Sequence, residues 1–337
     1  MQSLNKYNVI DVVKLFMAFL VIGIHVGTLF GTDYPQIIEF ILESAVPFFF
    51  ICSGFFIQNK IIKKRNNFPI LKDSCKRYLK LYILWQIVYF PLALKYLWVN
   101  GHTFEDNLQY CLRMFLFVGE IIFSWPLWYL HALIVSIIFI YILKKCRMSL
   151  IHIWVISIIM MLIGYFINYF TTSVNCNNTI STICHNIVYI LGSADRNGPF
   201  RGFALVTTGM IIRQYQQYIK YEYAIGTICV VTSWLLFTYS LPFHLLLLGG
   251  GLFIIAASIH IKDKPIYTAL RIHSTFIYFI HMYFVVIAHG FFKSFVTNTT
   301  YVYIIWIIIF LVCLITSIVF NWLRKKSSLQ WLNHLVS

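Results

Sequence analysis

A chain of 337 residues that is 60% hydrophobic, 18% aromatic and only 11% charged lies outside the composition range of soluble domains. With a mean hydropathy of +0.78, it is predicted to be an all-α, polytopic membrane protein. A formal net charge of +15 would suggest nucleic-acid binding in a soluble protein, but in a membrane protein basic residues mark the cytoplasmic side, and no nucleic-acid partner is expected.

Windows of about 20 apolar residues predict about ten transmembrane helices. They cover residues 9–30, 40–58, 80–99, 125–143, 149–170, 198–213, 222–240, 243–260, 273–293 and 301–323. This arrangement places twenty Lys and Arg residues in cytoplasmic segments and five on the external side. The positive-inside rule then predicts both termini in the cytoplasm. We expect one domain over residues 1–337, with no separate soluble domain and no cleavable signal peptide.

The stretch of residues 8–27, at the first predicted span, contains an acid, a base and a histidine: Asp11, Lys14 and His25. Ionisable groups at membrane depth are costly, so they mark a functional site by default. Lys14 and His25 are eleven residues apart, about three helical turns plus roughly 20°, so they share one helix face. Asp11 lies one turn before Lys14 on that face, where it can pair with the ammonium group.

Two predicted external stretches, residues 100–124 and 171–197, are too long for simple turns. Each contains an apolar piece too short to span, so we expect both to lie in the interface or re-enter and to roof a cavity. Cys176 and Cys184 fall in the second stretch, where a disulfide is possible. The eight cysteines contain no CxxC pair and no zinc-like spacing, so no metal site is expected.

Further motifs admit both a structural and a functional interpretation. Pro47, Ser53 and Gly54 interrupt an aromatic run in the second span, either as a helix-packing kink or beside a wet cavity. Basic side chains enter the third span at Lys76, Arg77 and Lys80. They either mark the cytoplasmic side or grip a polyanion together, since neighbours three apart share a helix face.

Three later motifs complete the set: PLWYLHALI with Trp128 and Tyr129, RNGPF with Arg196 and Asn197, and STFIYFIHMYF with Tyr278 and His281. Each is interpreted either as a packing or turn element or as part of a cavity. His131, one turn after Leu127, is predicted to be a packing histidine.

Together these dispersed motifs resemble, in order and over nearly the whole chain, the integral membrane acyltransferase 3 family. A basic residue, ten intervening residues and a histidine resemble the family's opening motif, with Lys14 in place of its usual arginine. Pro126 stands where many members have a histidine, so that residue's role is not carried over. The segment RNGPF is also similar to the membrane domain of vancomycin-resistance serine racemases.

The resemblance implies a membrane O-acyltransferase of the cell envelope that moves an acetyl group from cytoplasmic acetyl-CoA, a donor substrate, to a hydroxyl of a polysaccharide or lipid-linked glycan; no cofactor is implied. His25 would act as general base or carry the acyl group, with Asp11 orienting Lys14. Donor binding is assigned to Lys14, Lys76, Arg77 and Lys80. Cavity residues would be Ser53, Trp128, Tyr129, Arg196, Asn197, Tyr278 and His281. The expected location is the bacterial plasma membrane, in contact with anionic lipids.

An alternative interpretation remains open at this point. Broken helices and intramembrane charges suit a transporter or a binding domain for a small polar solute such as serine equally well.

Overall fold

A computed structural model describes residues 7–99, 103–173, 179–193 and 197–336. Within these ranges the chain is helical and contains no β-strand. The α-helices are α1 (Asn8–Phe30), α2 (Gln36–Glu43), α3 (Ala45–Lys64), α4 (Asn67–Val99), α5 (Phe104–Arg113), α6 (Trp128–Lys145), α7 (Leu150–Ser173), α8 (Thr179–Leu191), α9 (Phe203–Tyr215), α10 (Glu222–Thr238), α11 (His244–Ser258), α12 (Pro265–Phe292) and α13 (Thr299–Leu323). Two π-helical turns occur at Met114–Val118 and Gly198–Gly202, and 3-10 turns at Trp125–Leu127, Gln216–Tyr218 and Ser327–Leu335.

The all-α class predicted from composition is confirmed for the described residues. In the described part of the chain, six helical segments are long and apolar enough to cross a membrane. They are Asn8–Phe30, Gln36–Lys64, Trp125–Lys145, Leu150–Thr172, Pro265–Phe292 and Thr299–Leu323. Three of the other predicted spans are shorter pieces, namely α9, α10 and α11, and residues 80–99 form the second half of the 33-residue α4. The count of ten and the cytoplasmic termini stay predictions.

The chain divides into two compact units. Unit 1 consists of residues 1–49, 221–239 and 247–337, and unit 2 of residues 50–220 and 240–246. The division falls inside α3, five residues after its start.

In unit 1, α13 packs against α1 through an aromatic ring set into a glycine notch. The ring of Trp306 stacks on Phe19 with centroids 4.6 Å apart, and its indole N–H donates to the backbone oxygen of Phe19 at 2.7 Å. A β-carbon on Gly23 would lie 2.4 Å from that ring. Tyr34 covers Gly27 in the same way, and burial raises the pKa of its phenol to about 12, so it stays protonated and donates to the oxygen of Gly23.

In unit 2, α3 and α9 approach so closely that each needs a glycine at the crossing. A β-carbon on Gly54 would lie 1.9 Å from the backbone oxygen of Val206, and one on Gly209 would lie 2.1 Å from the oxygen of Ile51. Small residues allow helix backbones to meet in this way in membrane proteins. The interpretation of this motif as a helix-packing element is therefore supported for Gly54.

We expect Gly54→Ala to lower the stability of the folded protein by roughly 3 kcal/mol or more, because the added methyl meets backbone that cannot rotate away. Gly290→Ala is the matched control, since a β-carbon at that helical position meets nothing within 4 Å and alanine favours helix by about 1 kcal/mol. Thermal unfolding of both variants in detergent measures the difference. Equal midpoints for the two variants would contradict the close crossing of α3 and α9.

Candidate functional site

A buried carboxylate joins the N-terminal ends of α1 and α12 in unit 1. Asp11 is 3% exposed, and Arg271 donates to both of its oxygens, from Nε at 2.9 Å and from Nη2 at 2.6 Å. This fork-to-fork geometry is the strongest form of carboxylate recognition that a side chain offers. It fixes both the position and the rotation of α1 against α12.

The sequence-based assignment of Lys14 as the partner of Asp11 is corrected here. Arg271 is one of the twenty basic residues that the sequence places in cytoplasmic segments. It lies in the second turn of α12 and donates to both carboxylate oxygens. Lys14 is partly exposed one turn further along α1. Spacing within a helix reveals neighbours three or four residues apart, whereas Asp11 and Arg271 are 260 residues apart.

Further along the same two helices, two imidazole rings stack. The centroids of His25 and His281 are 5.2 Å apart with an interplanar angle of 26°. His25 lies fourteen residues after Asp11, roughly 21 Å along α1, and His281 ten residues after Arg271. Because both contacts advance in the same direction along the chain, α1 and α12 run parallel, as the predicted topology requires of these two spans.

The surroundings of His281 fix its tautomer. Its ring is completely buried, and Nδ1 lies 3.2 Å from the backbone oxygen of Ile277. Since a carbonyl only accepts, Nδ1 carries the proton and Nε2 carries the lone pair. Nε2 is buried and makes no hydrogen bond. One face of this buried ring covers His25.

Tyr278, predicted to share a cavity with His281, lies one turn before it on α12. The two rings meet edge to face with centroids 6.3 Å apart, and the tyrosine ring also meets the edge of Phe49 at 5.3 Å. Tyr278 is 5% exposed. The structure thus brings His25, His281 and Tyr278 together around one part of α12.

Two of the motifs in unit 2 meet through a hydroxyl pair. The Ser53 hydroxyl on α3 and the Tyr129 hydroxyl on α6 are 2.8 Å apart. The ring of Phe50 contacts those of both Tyr129, at 4.6 Å, and Trp128, at 5.7 Å. The second-span and fourth-span motifs, 76 residues apart, therefore form one polar and aromatic cluster.

The predicted donor-binding residues of α4 are accessible. Lys76, Arg77 and Lys80 are all exposed, and the Arg77 guanidinium lies 5.1 Å from the ring centroid of Tyr78. Lys60, near the end of α3, belongs to the same basic stretch of the sequence, residues 60–80. A surface that gathers like charges favours a polyanionic ligand or anionic lipid.

A cavity of about 410 Å³ lies within unit 2. Trp128 and Asn197, both predicted cavity residues, line it, while Arg196 lies outside the described residues. Each of the two long stretches predicted to be external also contributes to its wall, with residues 110–120 and residues 188–193. Sequence reasoning missed the lining residues Tyr110, Arg113, Glu120, Tyr189 and Ser193. Cys176 also lies outside the described residues, so its disulfide with Cys184 stays a prediction.

Residues 7–323 match the sequence profile of a family described as an acyltransferase domain, Acyl_transf_3. The chain belongs to this acyltransferase family. The match includes residues of both units and every predicted site residue, so the resemblance inferred from the dispersed motifs is confirmed over nearly the whole length.

Two curated relatives of this acyltransferase-family chain are named amino-acid racemase, both from Enterococcus faecalis. One is 29% identical over 204 residues, which is 58% of this chain and 26% of the relative. The other is 30% identical over 148 residues, or 42% of this chain and 20% of the relative. The chain thus spans about a quarter or less of the length of these relatives. No solved structure matches it.

Removing the guanidinium from the ion pair should cost more stability than removing the charge of the carboxylate. Arg271→Gln leaves a buried charge without its partner, whereas Asp11→Asn leaves a neutral amide. Breaking a fully buried pair costs about 3–5 kcal/mol, and because Arg271 is 58% exposed we expect roughly half of that for Arg271→Gln.

The double variant Asp11→Asn with Arg271→Gln should recover part of this loss, since no buried charge remains. Thermal unfolding of all three variants completes a double-mutant cycle. Additive losses would show that the pair does not couple α1 to α12.

Proposed function

We propose that the protein is a membrane O-acyltransferase that moves an acetyl or other acyl group from cytoplasmic acyl-CoA to a hydroxyl of a cell-surface polysaccharide or lipid-linked glycan precursor. The observation that carries this proposal is the stacked pair of His25 and His281 on the two helices joined by Asp11 and Arg271, in a chain of the acyltransferase family. Imidazole is the side chain best suited to proton transfer near neutral pH.

In the proposed reaction His25 removes the proton of the acceptor hydroxyl. The resulting oxygen nucleophile attacks the thioester carbonyl, the carbon–sulfur bond breaks, and an ester forms. The CoA thiolate leaves and takes up the proton from the imidazolium, so no other reactant is needed. His281 holds the plane of the His25 ring by stacking.

The acyl-CoA donor carries phosphates, which suit the exposed cations. Lys14 in unit 1 and Lys76, Arg77 and Lys80 in unit 2 are proposed to bind them, each within its own unit. Guanidinium and ammonium groups form charge-assisted hydrogen bonds with phosphate oxygens. Lys14 supplies a point charge where the family has a bidentate fork, so it contributes less orientation than an arginine would.

A second candidate function is transport or binding of a small amino acid, favoured by the amino-acid racemase names of the two relatives. On this hypothesis His25 and His281 would line a passage and would not transfer a proton to an acyl donor. Radiolabelled acetyl-CoA added to membranes, compared with serine uptake by whole cells, separates the two functions.

His25→Ala should lower kcat for acetyl transfer roughly 10²- to 10⁴-fold while donor affinity stays unchanged. His152→Ala is the control, because that histidine is an exposed residue of α7. The measurement is transfer of radiolabelled acetyl to envelope glycan by membranes carrying equal amounts of folded protein. A folded His25→Ala protein that works at the wild-type rate would exclude the base assignment and favour transport.

Arg77→Ala should raise the apparent donor KM more than it lowers kcat, because Arg77 is assigned to the part of the donor that does not react. Lys72→Ala, an exposed cation in the same helix, is the control for charge alone. Lys14→Arg, which restores the family residue, should keep activity. Steady-state kinetics with varied acetyl-CoA measure all three. An unchanged KM for Arg77→Ala would return that residue to the role of a topology marker.

A further inference from the structure

One residue that lines the cavity of unit 2 has a buried acceptor atom without a hydrogen-bond partner. Asn197 is 4% exposed. Its amide nitrogen donates to the backbone oxygen of Ser193 at 2.7 Å, which fixes the amide orientation. Its Oδ1 is buried and makes no hydrogen bond. Because buried polar atoms are normally satisfied, a ligand in this cavity gains by donating to Asn197.

Another part of the cavity wall is formed by residues 114–120. It begins with the π-helical turn Met114–Val118, which ends at Gly119 in the left-handed conformation. Gly119 has φ +91°, and a β-carbon there would lie 2.4 Å from His131, so only glycine fits. π-helical turns occur frequently at functional sites. The next residue, Glu120, lines the cavity.

Three side chains from α4 and α6 hold this turn by donating to its carbonyls. Tyr82 donates to the oxygen of Phe115 at 2.6 Å, and Gln86 to that of Gly119 at 3.3 Å. His131 donates from Nε2 to the oxygen of Leu116 at 2.9 Å. The position of Glu120 is therefore set by the framework, as a binding residue requires. His131, expected to be a packing histidine, is a positioning residue for the turn.

The cation of the cavity is already engaged. The Arg113 guanidinium donates to the backbone oxygen of Tyr189 and lies over the rings of Tyr189, at 4.6 Å, and Tyr110, at 5.8 Å. A ligand carboxylate would have to compete with these contacts. A ligand therefore gains more by donating a hydrogen bond to the Oδ1 of Asn197 than by bringing an anion to Arg113.

Most of the lining is apolar or aromatic, including Tyr110, Trp128 and Tyr189. The volume of about 410 Å³ falls in the range of small-molecule sites, about 300–1,000 Å³ with an apolar wall and a few placed polar groups. A sugar ring matches this chemistry, since it has an apolar C–H face for aromatic rings and hydroxyl donors at its edge. A small amino acid has little apolar surface to cover these rings.

We propose that this cavity binds a neutral sugar ring of the acceptor, with Glu120 and Asn197 accepting hydrogen bonds from its hydroxyls and Trp128 packing on its face. The inference rests on the proposed acyltransferase function and names the acceptor site for it. The described lining residues include one acid, Glu120, and one base, Arg113, so their formal charges cancel, which suits an uncharged ring.

Saturation-transfer NMR on the full chain in lipid nanodiscs tests the proposal, with methyl β-N-acetylglucosaminide and methyl β-glucoside as probes. We expect saturation of ring protons by the wild-type protein. Glu120→Gln, Asn197→Leu and Trp128→Leu should each weaken binding roughly tenfold, the size of one lost hydrogen bond or ring contact. Glu105→Gln, the same change at an exposed acid of α5 outside this cavity, should not.

Each variant is first checked by size-exclusion chromatography, and only folded variants are compared. Absence of saturation for both sugars with the wild-type protein would overturn the proposal, as would equal binding by the folded cavity variants. Serine binding that depends on Glu120, without sugar binding, would also overturn it and would favour an amino-acid site.

His25→Ala should bind both sugars like the wild type, which separates this inference from the proposed function. Sugar binding without acetyl transfer would contradict the acyltransferase function and keep the cavity assignment. Acetyl transfer to glycan without sugar binding in this cavity would support the acyltransferase function and contradict the cavity assignment.

Discussion

The register of α1 against α12 depends on one requirement, that the buried carboxylate of Asp11 be neutralised inside an apolar helix. Leaving it unpaired at membrane depth is costly, and Arg271 meets the need with two hydrogen bonds. A bidentate contact fixes rotation as well as distance. With the helices parallel and this end fixed, His25 stacks on His281 further along. The chemistry proposed for His25 therefore relies on an ion pair roughly 21 Å away along α1.

The two units obtain their close packing by different means. In unit 1 the Trp306 ring fills the notch at Gly23, while in unit 2 the glycines of α3 and α9 bring backbone against backbone. Neither device relies on the hydrophobic effect, which is weak between helices in lipid. Gly54, which allows the close crossing of α3 and α9, is next to Ser53 in the chain. The Ser53 hydroxyl contacts the Tyr129 hydroxyl, so one motif serves both helix packing and the candidate site.

Local periodicity predicted what depends on neighbours in the chain, and little else. It placed Lys14 and His25 on one helix and identified the short apolar pieces that line the cavity, because these features repeat at helical spacing. It assigned Asp11 to the wrong partner, since Arg271 lies 260 residues away. Resemblance to the family identified Trp128 and Asn197. Glu120 was missed because an acid in an external stretch is ordinarily a solvated charge, and only Gly119 and its supporting donors show otherwise.

The separation of Asp11 from Arg271 also has a consequence for how the protein is made. Chains are synthesised at about 5–20 residues per second, so Arg271 emerges roughly 10–50 s after Asp11. During that interval α1 carries an uncompensated acid, and the notch at Gly23 is still without the Trp306 ring. The contacts of α1 are thus incomplete until α12 and α13 have been synthesised. Insertion into the bilayer has to retain or shelter α1 for most of the translation time, and a truncated chain ending before α12 would expose it to quality control.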